Sequence, residues 1–295
     1  MDENVGGHYR PRGLRIRLYE EVQRLREQGF SYRQIINEVE RRYGERLSRS
    51  TISFWVRRLH SPYNGRRIPS IEFLKPSREL AYVVGVVMGD GATKIEKKRK
   101  GYNEVSIELE VKDLEFAEEF SRCLGLVLGR PPPKPIYMES RRMYLVSVRD
   151  QTLFELLHGK SLEKIKPFIE HCDECRAAFL RGFFDSEGCV SKNAQLRAYN
   201  SNLELLKYVI SLLADLEIET TGPHLGTRKG SLMKSPTTGK IYKTNKDVHY
   251  IYVRKKSLPT YHLKIGLTIE RKQKKLEEHL KKRGIPHPNP LQTNI

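Results

Sequence analysis

The chain lacks the features of a secreted or membrane-spanning protein. Only four of its 295 residues are cysteine, which is too few for a disulfide framework in a chain of this length. No stretch approaches the roughly 18–20 apolar residues of a membrane span. The N-terminus, Met1–Val5, opens with acidic residues rather than a hydrophobic signal core. The sequence therefore predicts a cytoplasmic protein without a membrane partner.

Acidic residues are also scarce relative to basic ones. The chain carries 54 Lys and Arg against 36 Asp and Glu, a formal charge of +18 at pH 7. Such an imbalance constrains the choice of partner more than the fold, and it favours a polyanion. Nucleic acid is favoured over an acidic membrane surface. The length gives room for two domains or one large one.

Two of the cysteines, Cys172 and Cys175, have the CxxC spacing of a zinc or redox site, and His171 precedes them. The sequence offers no second CxxC and no spaced histidine pair to complete a structural zinc site. The pattern favours a linker turn that starts a helix. Asp173 and Glu174 would then lie in the first turn, where the helix dipole favours negative charge.

Two short segments repeat one pattern. Gly85–Gly91 and Gly182–Gly188 each contain a small residue, three residues, a second small residue, an acid and a glycine. Small residues four apart lie on one helical face and let two helix backbones approach closely. The candidate helix-packing residues are Gly85, Gly89, Gly182 and Ser186. The final glycines, Gly91 and Gly188, suit the left-handed conformation that commonly ends a helix.

Pairing the two helices through their small faces would bring Asp90 and Glu187 side by side. A carboxylate at a helix C-terminus faces the negative end of the dipole, and a second carboxylate repels it. A divalent metal would relieve both effects, and paired acids with metal suit phosphodiester hydrolysis. The alternative is two ordinary buried helices that end in glycine, which leaves the acid in both copies unexplained.

At these residues the chain resembles the LAGLIDADG homing endonucleases in their monomeric, two-motif form, over about residues 78 to 283. The resemblance implies an α+β fold with two pseudo-twofold-related αββαββα repeats. Their antiparallel sheets would form a saddle on double-stranded DNA. It also implies Mg²⁺ or Mn²⁺ as cofactor. The metal-binding candidates are Asp90 and Glu187, with Gly89 and Ser186 beside them.

The resemblance further implies that lysines polarise water or neutralise the scissile phosphate. The candidates are Lys112, Lys192 and Lys272. Many members of the family carry a polar residue beside the active site, where this chain has Val111 in the first repeat. The second repeat keeps Asn200 at the equivalent place.

The predicted strands alternate, so that one face packs on helices and the other faces DNA. They fall near residues 92–96, 104–111, 134–139, 142–149, 188–192, 195–200, 222–228 and 248–255. By the resemblance, the DNA-facing residues are Lys94, Arg141, Arg142, Arg149, Arg197, Arg228, Arg254 and Lys256, together with Lys112 and Lys192. The basic segment 229–247 is predicted as a long loop that becomes ordered on DNA.

Residues 13–60 resemble a helix-turn-helix module with residues 49–59 as recognition helix. In that arrangement early side chains face base edges and later arginines suit phosphates. The candidate DNA-binding residues are Arg49, Ser50, Thr51, Ser53, Arg57 and Arg58. A three-helix interaction module with a solvated arginine face is the alternative. Phe54 and Trp55 are expected to share the packing of this third helix.

The predicted domains are a helix-turn-helix domain at 1–62, a linker at 63–77 and two repeats at 78–172 and 173–295. The leading hypothesis is a monomeric, site-specific double-strand DNA endonuclease that promotes homing of an intron or mobile element. Its site would be long and nearly asymmetric. Two alternatives stay open, a non-catalytic transcription regulator and an RNA-splicing maturase, because phosphate attraction does not discriminate among them.

Overall fold

The computed structural model describes residue 10, residues 12–57, residue 62 and residues 74–97, 103–191, 195–234 and 239–282. The described residues fall into two compact units, within Met1–Leu74 plus Asp150–Glu155 and within Lys75–Arg149 plus Leu156–Ile295. Among them, no helix combines the length and the apolar character that a membrane span requires.

The described residues of the N-terminal unit include the helices α1 (Arg12–Glu27), α2 (Tyr32–Tyr43) and α3 (Arg49–Val56). Ser31 and Gln34 form a capping box at the start of α2, in which each side chain accepts a backbone hydrogen bond from the other residue. Apolar side chains at helical spacing form one small core, which comprises Leu18, Val22, Leu25, Ile35, Val39, Leu47, Ile52 and Trp55.

The third helix departs from its prediction in two ways. It ends at Val56 instead of continuing to residue 59, and residues 58–60 lie outside the described part of the chain. Trp55 is buried as expected, but Phe54 is 50% exposed. Ile52, Trp55 and Val56 contribute to the core, so Phe54 lies on the opposite side of the helix, where it faces water.

The larger unit consists of two successive sets of elements. The first is α4 (Arg78–Met88), β1 (Ala92–Lys97), β2 (Asn103–Val111), α5 (Leu114–Leu128), β3 (Ile136–Met138), β4 (Met143–Val148), α6 (Gln151–Leu157) and α7 (Leu162–Ile169). The part of α6 up to Glu155 is grouped with the N-terminal unit. The second is α8 (Asp173–Glu187), β5 (Gly188–Val190), β6 (Leu196–Asn200), α9 (Leu203–Asp215), β7 (Thr220–Thr227), β8 (Leu232–Lys234), β9 (Ile241–Lys243), β10 (Val248–Val253), a 3₁₀ helix (Lys255–Ser257), α10 (Leu258–Lys264) and α11 (Glu270–Lys282).

Each set builds one antiparallel four-stranded sheet, with strand orders β1-β2-β4-β3 and β5-β6-β10-β7. The first sheet packs on α5 and the second on α9. The buried faces carry the apolar residues of the alternation, such as Ile107 and Leu109 in β2 and Ala198 and Ile251 in the second sheet. This confirms the predicted α+β class and the order of helices and strands.

The segment predicted as a loop at 229–247 contains a separate two-stranded sheet formed by β8 and β9. Leu232 pairs with Lys243, and Lys234 pairs with Ile241. Leu232 and Ile241 are 73% and 70% exposed. The prediction of a loop was therefore wrong for these six residues, because each strand is only three residues long and exposed throughout, so that neither has an alternation of buried and exposed positions.

Candidate active site and nucleic-acid face

The two motif helices, α4 and α8, meet through their small residues. A Cβ atom on Gly182 would lie 2.5 Å from the carbonyl oxygen of Tyr82, and one on Gly85 would lie even closer to the carbonyl oxygen of Phe179. A Cβ on Gly89 would overlap Ser186. Main-chain atoms of the two helices are therefore in direct contact, which no larger residue at these positions would allow.

The glycines after the two acids do not adopt the predicted left-handed conformation. Gly188 has φ −82° and ψ 145°, and Gly91 is absent from the described glycines that have positive φ. Both are instead confined by close approach. A Cβ on Gly91 would lie 2.7 Å from the Cα of Val87, and one on Gly188 would overlap the carbonyl oxygen of Phe184. After each motif helix the backbone folds back against the last helical turn, and a Cβ atom on the glycine would block this path.

The two predicted metal-binding acids come together below this joint. Asp90 follows α4 and is exposed, whereas Glu187 is the last residue of α8 and is partly buried. Burial, followed by the negative charge of Asp90, raises the pKa of Glu187 to about 7. The atoms around the Asp90 carboxylate also desolvate it and raise its pKa. Asn200 Nδ2 donates a hydrogen bond of 2.8 Å to Glu187 Oε1.

Two lysine side chains donate hydrogen bonds to carbonyl oxygens at the C-terminal ends of the motif helices. Lys272 Nζ donates to the carbonyl oxygens of Asp185 at 2.6 Å and Phe184 at 3.3 Å, at the end of α8. Lys160 Nζ donates in the same way at the end of α4, to Gly89 at 3.1 Å and Met88 at 3.3 Å. Burial lowers the pKa of both lysines, against the opposite effect of nearby carboxylates that include Asp90. Each repeat therefore supplies one acid and one lysine.

Lys160 was missed by the sequence analysis. It precedes α7, the last helix of the first repeat, and has a positive φ of 49° directly after Gly159 at 80°. Lys272 lies at the start of α11, the last helix of the second repeat, and is only 7% exposed. The position of Lys160 could have indicated its role, because both repeats have a lysine near the start of their last helix. The number of residues between the acid and this lysine differs between the repeats, which hides the equivalence.

Asp185 is a second missed residue, although it lies within the repeated motif. Its side chain is 1% exposed. One carboxylate oxygen accepts from the backbone N–H of Thr268 at 2.9 Å and of Ile269 at 3.4 Å, and the other accepts from Tyr82 Oη at 3.1 Å. Burial raises the pKa of Asp185 to about 6. Its hydrogen bonds attach α8 to the segment that leads into α11, which indicates a structural role.

The remaining predicted catalytic and metal-binding residues lie in different environments. Ser186 Oγ donates to the carbonyl oxygens of Gly182 and Val86, so this hydroxyl belongs to the helix joint. Lys112 is exposed just beyond β2, and Lys192 lies outside the described residues. The structure therefore gathers Asp90, Glu187 and Lys272 at one place.

The donor chemistry of this site fits a divalent cation. Magnesium and calcium prefer oxygen ligands, and carboxylates are the usual protein donors. Burial and then the negative charge of Asp90 raise the pKa of Glu187, and a bound cation would favour the charged form of both carboxylates. Asn200 holds one Glu187 oxygen and leaves the other without a partner from the described residues.

The exposed face of the first sheet carries glutamates between its basic residues. Lys94 Nζ lies 2.5 Å from Glu108 Oε2, and Arg141 Nη1 lies 2.5 Å from Glu110 Oε2. A third pair on this sheet joins Arg149 to Glu104 at 2.9 Å. Three of the predicted DNA-facing cations are therefore engaged by carboxylates of β2.

The exposed face of the second sheet carries aromatic and basic side chains instead. The guanidinium carbon of Arg197 lies 5.4 Å from the ring centre of Tyr250 and 5.5 Å from that of Tyr252. Tyr199 and His224 flank Tyr250, with ring centres 5.5 and 5.3 Å away. This set, Arg197, Tyr199, His224, Tyr250 and Tyr252, is called the aromatic row below.

Other predicted DNA contacts are exposed but dispersed. Arg142 has a positive φ of 53° in the turn before β4, and Arg228 is exposed after β7. Arg254 and Lys256 both pair with Glu219, at 3.7 and 2.5 Å.

In the N-terminal unit, Arg49, Ser50 and Arg57 are exposed, and Ser53 is partly buried. The hydroxyls of Ser50 and Thr51 each lie 2.8 Å from Ser48 Oγ at the start of α3. Arg58 lies outside the described residues.

The CxxC segment forms the start of α8, as the linker interpretation predicted. Cys172 is the residue before the helix, and Asp173 and Glu174 lie in its first turn. His171, Cys172 and Cys175 each have a potential ligand atom, and these atoms lie within 4.8 Å of one another. Cys175 is buried and His171 is exposed.

Comparison with known proteins agrees with this architecture. A family model described as a LAGLIDADG-like domain matches residues 174–266. The uncharacterized protein MJ0398 of Methanocaldococcus jannaschii is 31% identical over 268 residues, which cover 90% of this chain and 93% of that protein.

Among solved structures, the homing endonuclease I-DmoI in complex with DNA and Ca superposes with a TM-score of 0.50 at 19% identity, over 68% of this chain and 98% of that one. The N-terminal LAGLIDADG domain of DUF199/WhiA gives 0.40 at 15% identity, over 66% of this chain and 87% of that one. The chain thus belongs to one protein family with MJ0398, and it contains a LAGLIDADG-like domain.

Proposed function

We propose that the chain is a site-specific endonuclease that hydrolyses both strands of a DNA duplex. The observation that carries the proposal is the placement of Asp90 and Glu187 at the ends of two helices whose backbones touch, with the pKa of Glu187 raised to about 7 by burial and by Asp90. A fold gains nothing from two acids in such a place. A metal-dependent hydrolase requires them.

The two carboxylates would hold Mg²⁺ or Mn²⁺, which when bound supplies an activated water and stabilises the oxygen that leaves the cleaved bond. Asn200 orients Glu187 through its hydrogen bond of 2.8 Å. Lys160 and Lys272 place one positive charge beside each helix end, where a scissile phosphate would be neutralised. In this proposal Lys160 takes the role that the sequence assigned to Lys112 and Lys192.

Recognition of the duplex would fall to the two sheets and to the N-terminal helices. The unlike faces of the two sheets suit a long site whose halves differ, bound by a single copy of the chain. The division into a helix-turn-helix domain at 1–62, a linker and repeats at 78–172 and 173–295 is part of this proposal. Such an enzyme would promote homing of an intron or mobile element.

One observation favours a second function, that of a non-catalytic DNA-binding regulator. Lys160 and Lys272 offset part of the charge of the two acids, since both lysines oppose the rise that burial causes in the pKa of Asp90 and in that of Glu187. The two lysines would help such a site to keep its structure without metal. A measurement of metal binding therefore distinguishes the endonuclease from the regulator more directly than the presence of the two acids does.

The test combines metal binding with cleavage. Thermal melting of the full chain is measured with and without Mg²⁺ or Mn²⁺, for the natural protein and for the Asp90→Asn and Glu187→Gln variants. Glu139→Gln, which changes an exposed acid in the turn between β3 and β4, is the matched control. Metal should raise the melting temperature of the natural protein and of the control only.

Cleavage is then measured on a plasmid that carries the uninterrupted insertion site from the source genome. Asp90→Asn and Glu187→Gln should abolish cutting while DNA affinity stays within about several-fold of the natural value, because each change removes one charge from the metal site. A variant that cuts at the natural rate would exclude its acid from the mechanism. A natural protein that binds the site, ignores metal and cuts nothing would be the regulator.

A further inference from the structure

The described residues of the first sheet carry no aromatic side chain at the positions equivalent to the aromatic row, and the ring pair Tyr137–Tyr144, with centres 5.1 Å apart, lies elsewhere in β3 and β4. Strand register identifies the equivalent positions, since the second residue after each acid pairs with Glu108 in β2 and with Arg197 in β6. Two residues further along, Glu110 is equivalent to Tyr199. The fold therefore accepts glutamates at these places, and the aromatic row is a specific property of the second sheet.

The neighbouring strands show the same difference. In the first sheet Glu108 pairs with Ser147 and Glu110 pairs with Leu145. In the second sheet the corresponding partners are Tyr252 and Tyr250, which pair with Arg197 and Tyr199. All four equivalent positions change from acidic, small or aliphatic residues to three tyrosines and an arginine.

The rings form a continuous surface. Tyr250 and Tyr252 are stacked side by side with ring centres 6.0 Å apart and planes 22° apart. His224 lies 5.6 Å from Tyr252 and inclined by 31°. A Cβ on Gly226 would lie 3.1 Å from Cδ1 of Tyr250, so this glycine leaves room for the ring.

A cavity of about 300 Å³ opens at the Tyr252 end of the row. Its lining residues are Gln195, Tyr252, Val253, Arg254, Lys255 and Lys256. The volume lies at the lower end of the range typical of small-ligand sites. One aromatic wall and three cations at the rim are the groups that bind a nucleotide, the ring for the base and the cations for the phosphate.

A DNA duplex cannot use these rings fully. Its bases are stacked on one another, so that the major groove presents base edges and hides the faces. Aromatic side chains gain stacking energy only from bases that have left the stack, as in single-stranded nucleic acid. Arg197 in the row and the basic residues that line the cavity would meanwhile contact the phosphates.

We propose that the aromatic row and its cavity bind single-stranded DNA. Unpaired bases stack on Tyr199, Tyr250 and Tyr252, and Arg254 and Lys256 hold a phosphate at the cavity in exchange for their ion pairs with Glu219. The proposal rests on the nucleic-acid partner named under the proposed function, but it does not require cleavage. It assigns to the second repeat a ligand that the glutamate-bearing first sheet does not bind.

The test measures affinity of the full chain for a labelled oligothymidylate of about ten nucleotides, a blunt duplex and an RNA strand of matching length. Tyr250→Leu and Tyr252→Leu keep apolar area but remove the ring, and each should weaken binding of the single strand by about five-fold to a hundred-fold. Tyr250→Phe and Tyr252→Phe keep the ring and should restore it. Tyr137→Leu, which removes an exposed tyrosine from the first sheet, is the control and should change nothing.

Circular dichroism and thermal melting verify that each variant is folded. Equal loss of duplex and single-strand binding would overturn the proposal, because the row would then be a duplex contact. Loss of binding in the Phe variants would also overturn it, since hydroxyl contacts and not stacking would be at work. Tighter binding of the RNA strand would overturn the assignment to DNA.

Failure of cleavage with intact single-strand binding would leave this proposal standing and remove only the endonuclease. Cleavage with no single-strand affinity would support the endonuclease and overturn the proposal of single-strand binding.

Discussion

The two sheets of the larger unit have equivalent strand orders but different side chains on their exposed faces. In the first, three carboxylates of β2 engage Lys94, Arg141 and Arg149 in ion pairs. In the second, Arg197 lies against two tyrosine rings at about the same distance from each. A polyanion that lies across both faces therefore meets carboxylate-paired cations on the first sheet. On the second it meets aromatic rings around Arg197, beside the ion pairs of Glu219 with Arg254 and Lys256.

The helix joint between the sheets shows the opposite behaviour, because its two halves match closely. Each motif helix has a glycine against a carbonyl oxygen of its partner, and each ends in a pair of carbonyls that accept from one lysine. The two repeats thus keep the same arrangement around the acids and differ in the residues on the exposed faces of their sheets.

The largest effect is expected from the joint, where the two halves should respond equally. Gly85→Ala and Gly182→Ala each force a Cβ to within 3.0 Å of a main-chain carbonyl oxygen that cannot move aside. Overpacking typically costs about 1–3 kcal/mol and occasionally more. We expect each variant to lose at least about 3 kcal/mol of unfolding free energy, measured by chemical denaturation.

Gly13→Ala is the control for these variants, because the nearest atom is a flexible Arg17 nitrogen at 3.8 Å. This change lies in a helix and should be neutral or stabilising by about 1 kcal/mol. A large difference between the unfolding free energies of Gly85→Ala and Gly182→Ala would show that the two helices are not equivalent and that one backbone can shift to accommodate the Cβ atom.

A smaller effect should distinguish the two acids by pH. The pKa of Glu187 rises from 4.5 to about 7 on folding, so between these values the folded protein holds a proton that the unfolded chain has released. The stability of the natural protein should therefore fall as pH rises through this window. In the absence of metal, Glu187→Gln should gain about 1–3 kcal/mol at pH 8 and almost nothing at pH 4.

The Asp90→Asn variant should gain less at pH 8, because Asp90 is exposed. Melting curves from pH 4 to pH 8 measure both variants. A pH-independent gain in Glu187→Gln would show that its carboxylate is not perturbed in the folded state.

The smallest effect concerns the first sheet. Glu110→Gln removes the carboxylate that holds Arg141 at 2.5 Å and lies 3.9 Å from Lys94. Lys94 keeps Glu108 as its partner, so the change frees Arg141. If Arg141 then contacts a phosphate, duplex affinity should rise, and the slope of log affinity against log salt should steepen by about 0.9. Glu118→Gln, an exposed acid on α5, should leave the slope unchanged. An unaltered slope in Glu110→Gln would place the first sheet outside the bound surface.

The elements most predictable from the sequence are those in which a periodic pattern and a special residue coincide. The motif helices follow from apolar runs with small residues four apart, and α2 follows from the Ser31 cap before Ile35 and Val39. The order of strands and helices in both repeats was also predictable, because turn residues separate short alternating segments.

Residues brought in by long-range geometry were not predictable. Lys160 reaches the end of α4 from a turn more than seventy positions away, and nothing local marks it. The pairing of Lys94 with Glu108 depends on cross-strand register, which alternation alone does not give. The glycines after the acids were assigned the wrong role because a close approach and a left-handed turn both select glycine.

The contact between the backbones of α4 and α8 has a consequence for how this chain can evolve. The separation of the two acids is fixed by peptide groups and not by side chains that drift. Core and surface residues elsewhere are therefore free to change without moving the reactive centre. Direct backbone contact of this kind lets each repeat adapt to its own ligand after duplication. One ancestral unit can in this way give rise to an asymmetric protein in a single chain.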